Sequence, residues 1–217
     1  MKQPLNILIT AGPTREAIDP VRYISNHSTG KMGIAIANAF AKHSCKVNLV
    51  LGPTHLLPEA EVNITHVESA LDMYNACLSV YPFVDIAIFA AAVADYTPKH
   101  VADKKIKKSS SEWQLELVKT TDIAYELGKQ KKEQQVNIVF ALETNNETEN
   151  ALAKLEKKNA DFVVLNSMRD AGAGFGHDTN KISILFKNGL TANFALQSKQ
   201  SLAEIIVNEA LKCFYKQ

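Results

Sequence analysis

The chain has 217 residues, enough for one sizeable domain that needs neither disulfides nor a structural metal ion. Hydrophobic residues make up 46% of the sequence and charged residues 22%, as in ordinary globular proteins. The formal net charge of +1 gives no support for general binding to nucleic acid or to an anionic membrane surface.

The N-terminal residues and the cysteines favour a cytoplasmic location. Residues 1–4 lead directly into an apolar run without the core of a signal peptide, and no apolar stretch is long enough to span a bilayer. Cys45, Cys77 and Cys213 are odd in number and far apart, which is typical of buried free thiols in a reducing compartment. We therefore expect a cytoplasmic protein without disulfides.

Short apolar runs alternate with helical patterns along the chain. The runs that predict strands are, in order, 7–9, 47–51, 63–67, 85–89, 138–141 and 162–165. Apolar residues at helical spacing predict helices at about 31–43, 69–80, 121–131, 147–159 and 199–215. Continuous apolar strands between helices indicate a mainly parallel sheet covered on both faces. We predict a single domain, residues 1–217, with a Rossmann-like three-layer α/β fold.

Two segments depart from this alternation. Residues 93–118 show no helical period, and they contain the basic cluster 104–108. That cluster is either a solvated charged face or a mobile flap that brings a lysine to a polyphosphate. Residues 182–194, with Asn188-Gly189 near their centre, predict a β-hairpin near the C-terminus.

The first predicted strand is followed by a long loop that ends at a helix start. Connections of this kind usually have about two to six residues, whereas this one has about twenty and is rich in glycine and hydroxyl residues. Ser28 and Thr29 are suitable helix caps that need no ligand. Arg22 and Asn26 lie just before them and favour an anion site at the helix N-terminus.

Small or polar residues also follow later strands. Ala90–Ala92 and Asp95 follow the fourth strand, 143–146 follow the fifth, and Asn166 follows the sixth. Ligands bind beyond the carboxyl ends of strands in open α/β sheets, so these residues are expected at one edge. The alanines either let a helix approach the sheet or let a ligand reach backbone N–H groups, and the residues alone leave both readings open.

Common nucleotide-binding and catalytic signatures are missing from the sequence. It has no G-x-G-x-x-G, its second strand ends in Leu51-Gly52-Pro53 instead of an acidic residue, and Gly30-Lys31 lacks Walker spacing. The six histidines show no metal-ligand spacing, and no residue pattern suggests a covalent nucleophile. Catalysis would then depend on positioning and charge stabilisation.

The longer motifs resemble the phosphopantothenoylcysteine synthetase family, the ligases of coenzyme A biosynthesis. The matching pieces follow the family's order over nearly the whole chain: 11–16 (Ala-Gly-Pro-Thr-Arg-Glu), 18–33 (Ile-Asp-Pro-Val-Arg-Tyr-Ile-Ser-Asn-His-Ser-Thr-Gly-Lys-Met-Gly), 90–96 (Ala-Ala-Ala-Val-Ala-Asp-Tyr), 105–108, 142–144 and 175–180. The resemblance implies condensation of 4′-phosphopantothenate with L-cysteine through an acyl-nucleotide, with release of pyrophosphate and CMP. It also implies Mg²⁺, with CTP as co-substrate in the bacterial type and ATP as the alternative.

The same resemblance assigns roles to individual residues. Asn26, beside the acyl carbonyl, and Lys105, on a flap, match the catalytic positions. Residues matching substrate-binding positions are Arg22, Ala91, Ala92 and Asp95, with Arg22 reaching the substrate of the neighbouring subunit in a homodimer. Residues matching nucleotide-binding positions are Gly12, Ser28, Gly30, Gly33, Phe140 and Asn166. The resemblance identifies no metal ligands.

Two motifs depart from the bacterial pattern. The chain has Lys-Thr-Thr-Asp-Ile at 119–123 in place of Lys-Asn-Pro-Asp-Ile, and Ala-Leu-Glu-Thr at 141–144 in place of Ala-Ala-Glu-Thr. Both lie near the nucleotide in the family, so they bear on the choice of base.

The resemblance also leaves the organisation of the protein open. Bacterial members are often fused behind a flavin-dependent phosphopantothenoylcysteine decarboxylase, so the chain is a stand-alone ligase or an excised domain. The alternative functions are an NADP-dependent oxidoreductase and a non-catalytic nucleotide-binding subunit.

Overall fold

The computed structural model describes residues 3–107, 111–143, 145–167 and 177–216, and within them the chain forms twelve strands and five α-helices. The strands are β1 Asn6–Ala11, β2 Arg15–Ala17, β3 Tyr23–Ser25, β4 Lys46–Leu51, β5 Asn63–His66, β6 Ile86–Phe89, β7 Tyr96–Pro98, β8 Leu117–Lys119, β9 Val136–Glu143, β10 Phe162–Ser167, β11 Thr179–Phe186 and β12 Thr191–Ser198. The helices are α1 Lys31–Lys42, α2 Ala70–Val80, α3 Ile123–Gly128, α4 Glu147–Lys157 and α5 Lys199–Tyr215, with a 3₁₀ turn at Tyr81–Phe83.

Eight of the described strands form the central sheet, in the order β12-β11-β10-β9-β6-β1-β4-β5. The six strands from β10 to β5 pair in parallel, and β11 and β12 continue the sheet as an antiparallel hairpin. The predicted α/β fold with a mainly parallel sheet and a C-terminal hairpin is therefore confirmed. The hairpin turns at Gly189, whose φ of 84° favours glycine.

Helices cover both faces of the sheet and bury its apolar side chains. Successive side chains of β1 point to opposite faces, so Ile7 and Ile9 pack in one core and Leu8 in the other. The first core includes residues of α1 and α5, and the second includes residues of α2, α3 and α4. This arrangement is the predicted three-layer structure. Among the described residues, none of the helices combines the length and apolar character needed to cross a membrane.

Three details differ from the predicted elements. The long loop after β1 contains the antiparallel ribbon β2–β3, and the non-helical region 93–118 contains the start of a second ribbon, β7–β8. Helix α3 is shorter than predicted and ends at Gly128. There a Cβ atom would lie 2.2 Å from the carbonyl oxygen of Lys158, so the chain packs against the end of α4.

The strand order places a topological switch point beside β1. From β1 the chain passes through α1 to β4 on one side, and it later returns through α2 to β6 on the other side. Ligands bind in the crevice that opens at such a point, beyond the carboxyl ends of the strands. The long loop after β1 and the turn after β6 are both located there.

Candidate active site

A cavity of about 780 Å³ opens at the carboxyl edge of the sheet. Its walls come from the ends of β1, β6, β9 and β10 and from the adjoining parts of α1, α3, α4 and α5. Nine of the predicted site residues line it: Asn26, Ser28, Gly30, Gly33, Ala91, Ala92, Asp95, Phe140 and Asn166. Gly12, Arg22 and Lys105 are not part of its described wall.

Helix α1 begins at the cavity without a side-chain cap. Its N-cap is Gly30, and within the described residues no side chain accepts a hydrogen bond from the first turn. The Ser28 hydroxyl instead accepts the N–H of Gly30 at 3.3 Å, so Ser28 is not a plain cap. In contrast, Ser69, Asp122 and Ser198 cap α2, α3 and α5. The uncapped first turn, whose residues line the cavity, suits an anion.

Two glycines let the backbone form this helix start. Gly30 has φ 79°, and a Cβ on it would lie 3.2 Å from the backbone nitrogen of Gly12. The backbone of Gly12 therefore packs directly against Gly30. A Cβ on Gly33 would lie 2.5 Å from the Cβ of Ala11, so Gly33 allows α1 to pack closely on β1. The predicted glycines shape the site through close approach of the backbone.

The turn after β6 is joined to the loop after β1 by its peptide groups. The N–H of Ala91 donates to Thr10 Oγ1 at 3.2 Å, and the N–H of Ala92 donates to the Gly12 carbonyl at 2.9 Å. These two N–H groups are thus already paired, contrary to the reading in which a ligand uses them. The small side chains of Ala91 and Ala92 leave room for a ligand at this part of the cavity wall.

Asn26, in the loop after β1, contacts the same turn. Its Nδ2 donates to the carbonyl oxygen of Ala92 at 2.9 Å, which fixes the orientation of the amide at the cavity. Asp95, in the same turn region, is exposed and lines the cavity. Both side chains therefore border the cavity, and their contact with an acyl substrate stays a prediction.

The described wall of the cavity has more lysines than acidic side chains, and three of these lysines are paired with carboxylates. It contains six lysines and two aspartates, although the whole chain has a net charge of only +1. The lysines are Lys31, Lys119, Lys154, Lys157, Lys158 and Lys199, and the aspartates are Asp95 and Asp122. Concentrated positive charge in a cleft attracts and holds polyanions.

These lysines were not among the predicted site residues. Lys154 and Lys158 are one turn apart near the end of α4, a spacing that also occurs on any solvated helix face. Lys154 pairs with Glu143 at 2.6 Å and Lys158 with Asp122 at 3.0 Å. The one available sequence signal, their shared helix face, does not reveal that this face borders the cavity.

Lys199, the first residue of α5, is buried at the cavity wall. Its Nζ donates to the His177 carbonyl at 2.6 Å. Burial lowers the pKa of Lys199, and the nearby Lys31 ammonium lowers it further. Lys31 in turn pairs with Asp178 at 2.6 Å. A bound anion between these lysines would offset both unfavourable effects.

Arg22 and Lys105 belong to two segments that contact each other. The flap, defined here as the described residues 99–107 and 111–116 between β7 and β8, approaches the loop after β1 at Ile106. The Arg22 guanidinium pairs with Asp19 and donates to the Ile106 carbonyl at 3.1 Å. Lys105, next to Ile106, has an exposed side chain. The structure thus brings these two predicted residues together, outside the cavity wall.

Parts of three predicted motifs lie outside the described residues. They are Lys108 in the flap cluster, Thr144 after β9, and Phe175 and Gly176 before β11. The remainder of those motifs is described, including Asn180, whose Nδ2 donates to Asn166 Oδ1 at 3.1 Å at the cavity wall.

The described residues contain no group of three or more His, Cys, Asp or Glu side chains arranged to hold a metal ion. Mg²⁺ in nucleotide sites commonly uses one or two carboxylates together with substrate phosphates. The donor set at the cavity, with Asp95 and Asp122 among lysines, fits a metal ion that arrives with a polyphosphate better than a preformed protein site.

The chain is similar to curated proteins over almost its full length. It is 50% identical to a protein named cysteine/cysteine sulfinic acid decarboxylase from an unknown prokaryotic organism, over 97% of this chain and 60% of that protein. It is 46% identical to the coenzyme A biosynthesis bifunctional protein CoaBC of Haemophilus influenzae, over 99% of this chain and 53% of that protein. The chain therefore spans only about half to three-fifths of the length of these relatives.

A solved structure extends the similarity to the fold. The C-terminal domain of a coenzyme A biosynthesis bifunctional protein CoaBC superposes with a TM-score of 0.84 and 40% sequence identity, covering 99% of this chain and 98% of that one. Residues 3–214 also match the family described as the DNA/pantothenate metabolism flavoprotein C-terminal domain. The resemblance drawn from the motifs is thus confirmed, and the chain belongs to this family.

Proposed function

We propose that the chain is a ligase that condenses 4′-phosphopantothenate with L-cysteine through an acyl-cytidylate intermediate. The products would be 4′-phosphopantothenoylcysteine, CMP and pyrophosphate. The observation that carries this proposal is the cationic cavity at the uncapped start of α1, which suits a triphosphate and a phosphorylated substrate together. Its similarity to proteins named for coenzyme A biosynthesis supports the same choice of substrates.

In the proposed first step, the substrate carboxylate attacks the α-phosphorus of CTP and pyrophosphate leaves. The step brings together a carboxylate and a polyphosphate, so the protein must offset a concentration of negative charge. The peptide N–H groups at the start of α1 and the lysines of the cavity wall would take that role. Lys105 on the flap would add a further cation when the nucleotide is bound.

In the proposed second step, the amino group of cysteine attacks the acyl carbon and the bond to the CMP phosphate breaks. Negative charge develops on the acyl oxygen, and a hydrogen-bond donor placed there lowers the barrier. The Asn26 amide group carries two hydrogens, one of which is donated to Ala92. The second would serve the acyl oxygen, and the amine proton would be lost to solvent or phosphate.

Mg²⁺ is part of the proposal because it would neutralise part of the negative charge of the triphosphate, in addition to the cations of the protein. When bound, the ion would screen the phosphate oxygens at which pyrophosphate leaves. Asp95 is the exposed cavity carboxylate suited to contact it, since Asp122 already pairs with Lys158 and caps α3.

An NADP-dependent oxidoreductase is less well supported by the geometry. In dinucleotide-binding folds the ribose lies near the end of the second strand of the sheet, where an acidic residue binds it in NAD enzymes and an arginine binds its 2′-phosphate in NADP enzymes. Here β4 ends beside Gly52, on which a Cβ would lie 1.9 Å from the Pro13 carbonyl oxygen. The loop after β1 thus packs where the dinucleotide ribose would need space.

We infer a homodimer and an association with a decarboxylase as parts of the same proposal. Around Arg22, the large side chains Val21, Tyr23 and Trp113 are each at least half exposed, which is typical of a surface that another protein covers. A second copy of this chain on that surface would place Arg22 near the partner's cavity. The relatives named bifunctional are about twice as long, which leaves room for a second enzymatic half.

The proposal is tested by giving the purified protein CTP, Mg²⁺, 4′-phosphopantothenate and L-cysteine and measuring pyrophosphate and product. Omitting cysteine should allow pyrophosphate release only up to the amount of protein present, with acyl-cytidylate detected by mass spectrometry. ATP in place of CTP tests the base, and sedimentation of the same sample reports the oligomeric state.

Two results would contradict the proposal in different ways. CTP binding without pyrophosphate release would identify a non-catalytic nucleotide-binding subunit. Binding of NADPH with no binding of CTP or ATP would favour the oxidoreductase.

A further inference from the structure

Asp19 is a buried carboxylate that holds several donors at once. It is only 3% exposed, and it lies in the loop between β2 and β3. Its Oδ1 accepts the backbone N–H groups of Val21 and Arg22, each at 2.9 Å. Its Oδ2 accepts from the Arg22 guanidinium and from the N–H of Ile106 at 3.1 Å. The last of these bonds joins residues 87 positions apart.

The Asp19–Arg22 pair binds both backbone polar groups of one flap residue, Ile106. Asp19 accepts the Ile106 N–H, while Arg22 donates to the Ile106 carbonyl oxygen. A further bond from the Ala102 N–H to the Ile18 carbonyl, at 3.0 Å, joins the same two segments. The Arg22 guanidinium also stacks over the Trp113 ring at 5.1 Å. The flap is therefore held mainly by its backbone and by residues other than Lys105.

The electrostatics keep the Asp19 carboxyl ionised at working pH, so its acceptor oxygens stay available to the tether. The Arg22 side chain holds the pKa of the Asp19 carboxyl far below its usual range, despite the opposing effect of burial. Because the carboxylate is buried and charged, it has a strong preference for keeping its donors. Release of Ile106 would leave one oxygen of a buried charge with fewer partners.

We propose that Asp19 is a positioning residue for Lys105, acting through the Ile106 peptide. Lys105 precedes Ile106 by one position, and within the described residues its side chain makes no ion pair. The tether thus fixes the backbone beside Lys105, outside the described cavity wall, and leaves the exposed Lys105 side chain to meet the triphosphate. This inference rests on the proposed ligase function, because it assigns Lys105 to the first chemical step.

Flap release is tested first, without any activity measurement. Asp19→Asn removes the charge, and Ile106→Pro removes the flap N–H while leaving Asp19 and Arg22 in place. We expect trypsin to cleave the Lys105–Ile106 bond about tenfold faster in Asp19→Asn than in the wild type. In both variants, cleavage after Lys104 and Lys107 should rise by a similar factor, because local opening of the flap becomes easier. Mass spectrometry of the early fragments identifies each bond.

Two matched controls separate the tether from general effects. Glu16→Gln removes the charge of another buried carboxylate in the same loop, which accepts the Ala70 N–H at 2.9 Å and makes no described flap contact. Ile106→Val keeps the flap N–H. Both controls should leave the flap cleavage rate unchanged.

A double-mutant cycle then tests the role in the reaction. Asp19→Asn and Ile106→Pro should each slow the first half-reaction, pyrophosphate release without cysteine, by about tenfold, and leave CTP affinity near the wild-type value. In a Lys105→Gln background, either change should have little additional effect. If the role of Asp19 were purely structural, the substitutions would instead lower CTP affinity, or the rate loss of each would multiply with the rate loss of Lys105→Gln.

The outcomes distinguish this inference from the function on which it rests. Unchanged flap cleavage in both Asp19→Asn and Ile106→Pro overturns the tether. If the flap is cleaved faster but the rate losses of these variants multiply with that of Lys105→Gln, the link to Lys105 is overturned. Absence of pyrophosphate release by the wild-type protein overturns the ligase and the catalytic part of the inference together, whereas the cleavage rates still decide the tether.

Discussion

At the scale of single residues, Asn26 illustrates how a loop side chain becomes fixed. Asn26 is exposed, yet its amide donates to the Ala92 carbonyl, and Ala92 in turn donates to Gly12. The amide orientation therefore depends on two loops that meet across the switch point. A change in its hydrogen-bonding character should affect one chemical step more than the other.

We expect Asn26→Asp to separate the two half-reactions. A carboxylate cannot donate to the Ala92 carbonyl, and it adds negative charge where the acyl oxygen becomes negative. Amide product should fall by about 10² to 10³-fold, while pyrophosphate release continues and acyl-cytidylate accumulates. Rapid-quench measurement of both products, with and without cysteine, checks this.

Asn38→Asp is the matched control, because the Asn38 side-chain oxygen only accepts, from the N–H groups of Glu59 and Ala60. It should leave both half-reactions intact. Equal losses in the two steps for Asn26→Asp would remove Asn26 from its proposed role.

The three free thiols should differ in reactivity. Cys77 is buried, and burial raises its pKa to about 12, while half-buried Cys45 and Cys213 have smaller upward shifts of their pKa. At pH 8 we expect Cys45 and Cys213 to react with an alkylating reagent well before Cys77, because the thiolate is the nucleophile. All three should react at similar rates in denaturant.

The sign of the pH effect follows from the same shift. The folded pKa of Cys77 lies above its unfolded value, so its contribution to the free energy of unfolding is present below about pH 8.5 and declines above it. Labelling of Cys77 as fast as Cys45 in the native protein would contradict the burial on which both expectations depend.

At the scale of elements, the contact between α1 and β1 sets the position of the anion site. Gly33 lies in the first turn of α1, opposite Ala11 at the end of β1. Any side chain there would push the helix start away from the strand end. The geometry of the site and the packing of the fold thus depend on the same close approach.

Gly33→Ala should therefore destabilise the protein, although alanine favours helices over glycine by about 1 kcal/mol. Overpacking against rigid backbone typically costs about 1 to 3 kcal/mol, and we expect a net loss in that range from chemical denaturation. CTP affinity should fall as well. Gly189→Ala, in the hairpin turn with no atom near its Cβ position, serves as a comparison in which only backbone conformation is strained and CTP affinity stays normal. A stabilised Gly33→Ala variant would contradict the described packing.

The lysines at the end of α4 line the cavity together. Lys158→Gln should raise the Kd for CTP by about tenfold, because it removes one cation from the cavity wall. It should change the free energy of unfolding by no more than about 1 kcal/mol, since the Lys158–Asp122 pair is partly exposed. Isothermal titration and thermal unfolding give the two quantities.

Lys212→Gln, at an exposed ion pair near the end of α5, is the control for loss of a single positive charge. It should leave the Kd within twofold of the wild type, about the error of additivity between distant sites. Equal effects of the two substitutions would indicate that only the net charge of the protein matters.

At the scale of the whole molecule, charge is unevenly distributed. The chain is nearly neutral overall, yet the described cavity wall has six lysines against two aspartates. A polyanionic ligand should therefore stabilise the native state far more than a neutral one. Ligands that bind only the folded protein stabilise it by an amount that grows with the logarithm of their concentration relative to Kd, and so raise its unfolding temperature.

We expect CTP with Mg²⁺ at about 100 times its Kd to raise Tm by about 5 to 10 °C. Raising the ionic strength should reduce the shift, as screening weakens charge attraction. Cytidine, which lacks phosphates, is the control and should give little shift. An equal shift with cytidine would place the binding energy in the base instead of the phosphates.

The sequence by itself determined the succession along the chain of the central-sheet strands and the helices, the mainly parallel sheet and the C-terminal hairpin, but not the ribbons β2–β3 and β7–β8. These follow from hydrophobic periodicity and from the Asn188-Gly189 turn, which are local properties of a few neighbouring residues. It also located the loop after β1 and the turn after β6 at one edge, because the carboxyl ends of parallel strands share an edge.

Only the tertiary structure decided which charged groups face the cavity and which peptide groups are already paired. Lys154, Lys158 and Lys199 reach the cavity wall because α4 and α5 pack beside it, and the Ala91 and Ala92 N–H groups are used by the loop after β1. The Asp19–Ile106 bond likewise joins distant segments. Each of these contacts depends on where separate parts of the chain meet, which local patterns do not specify.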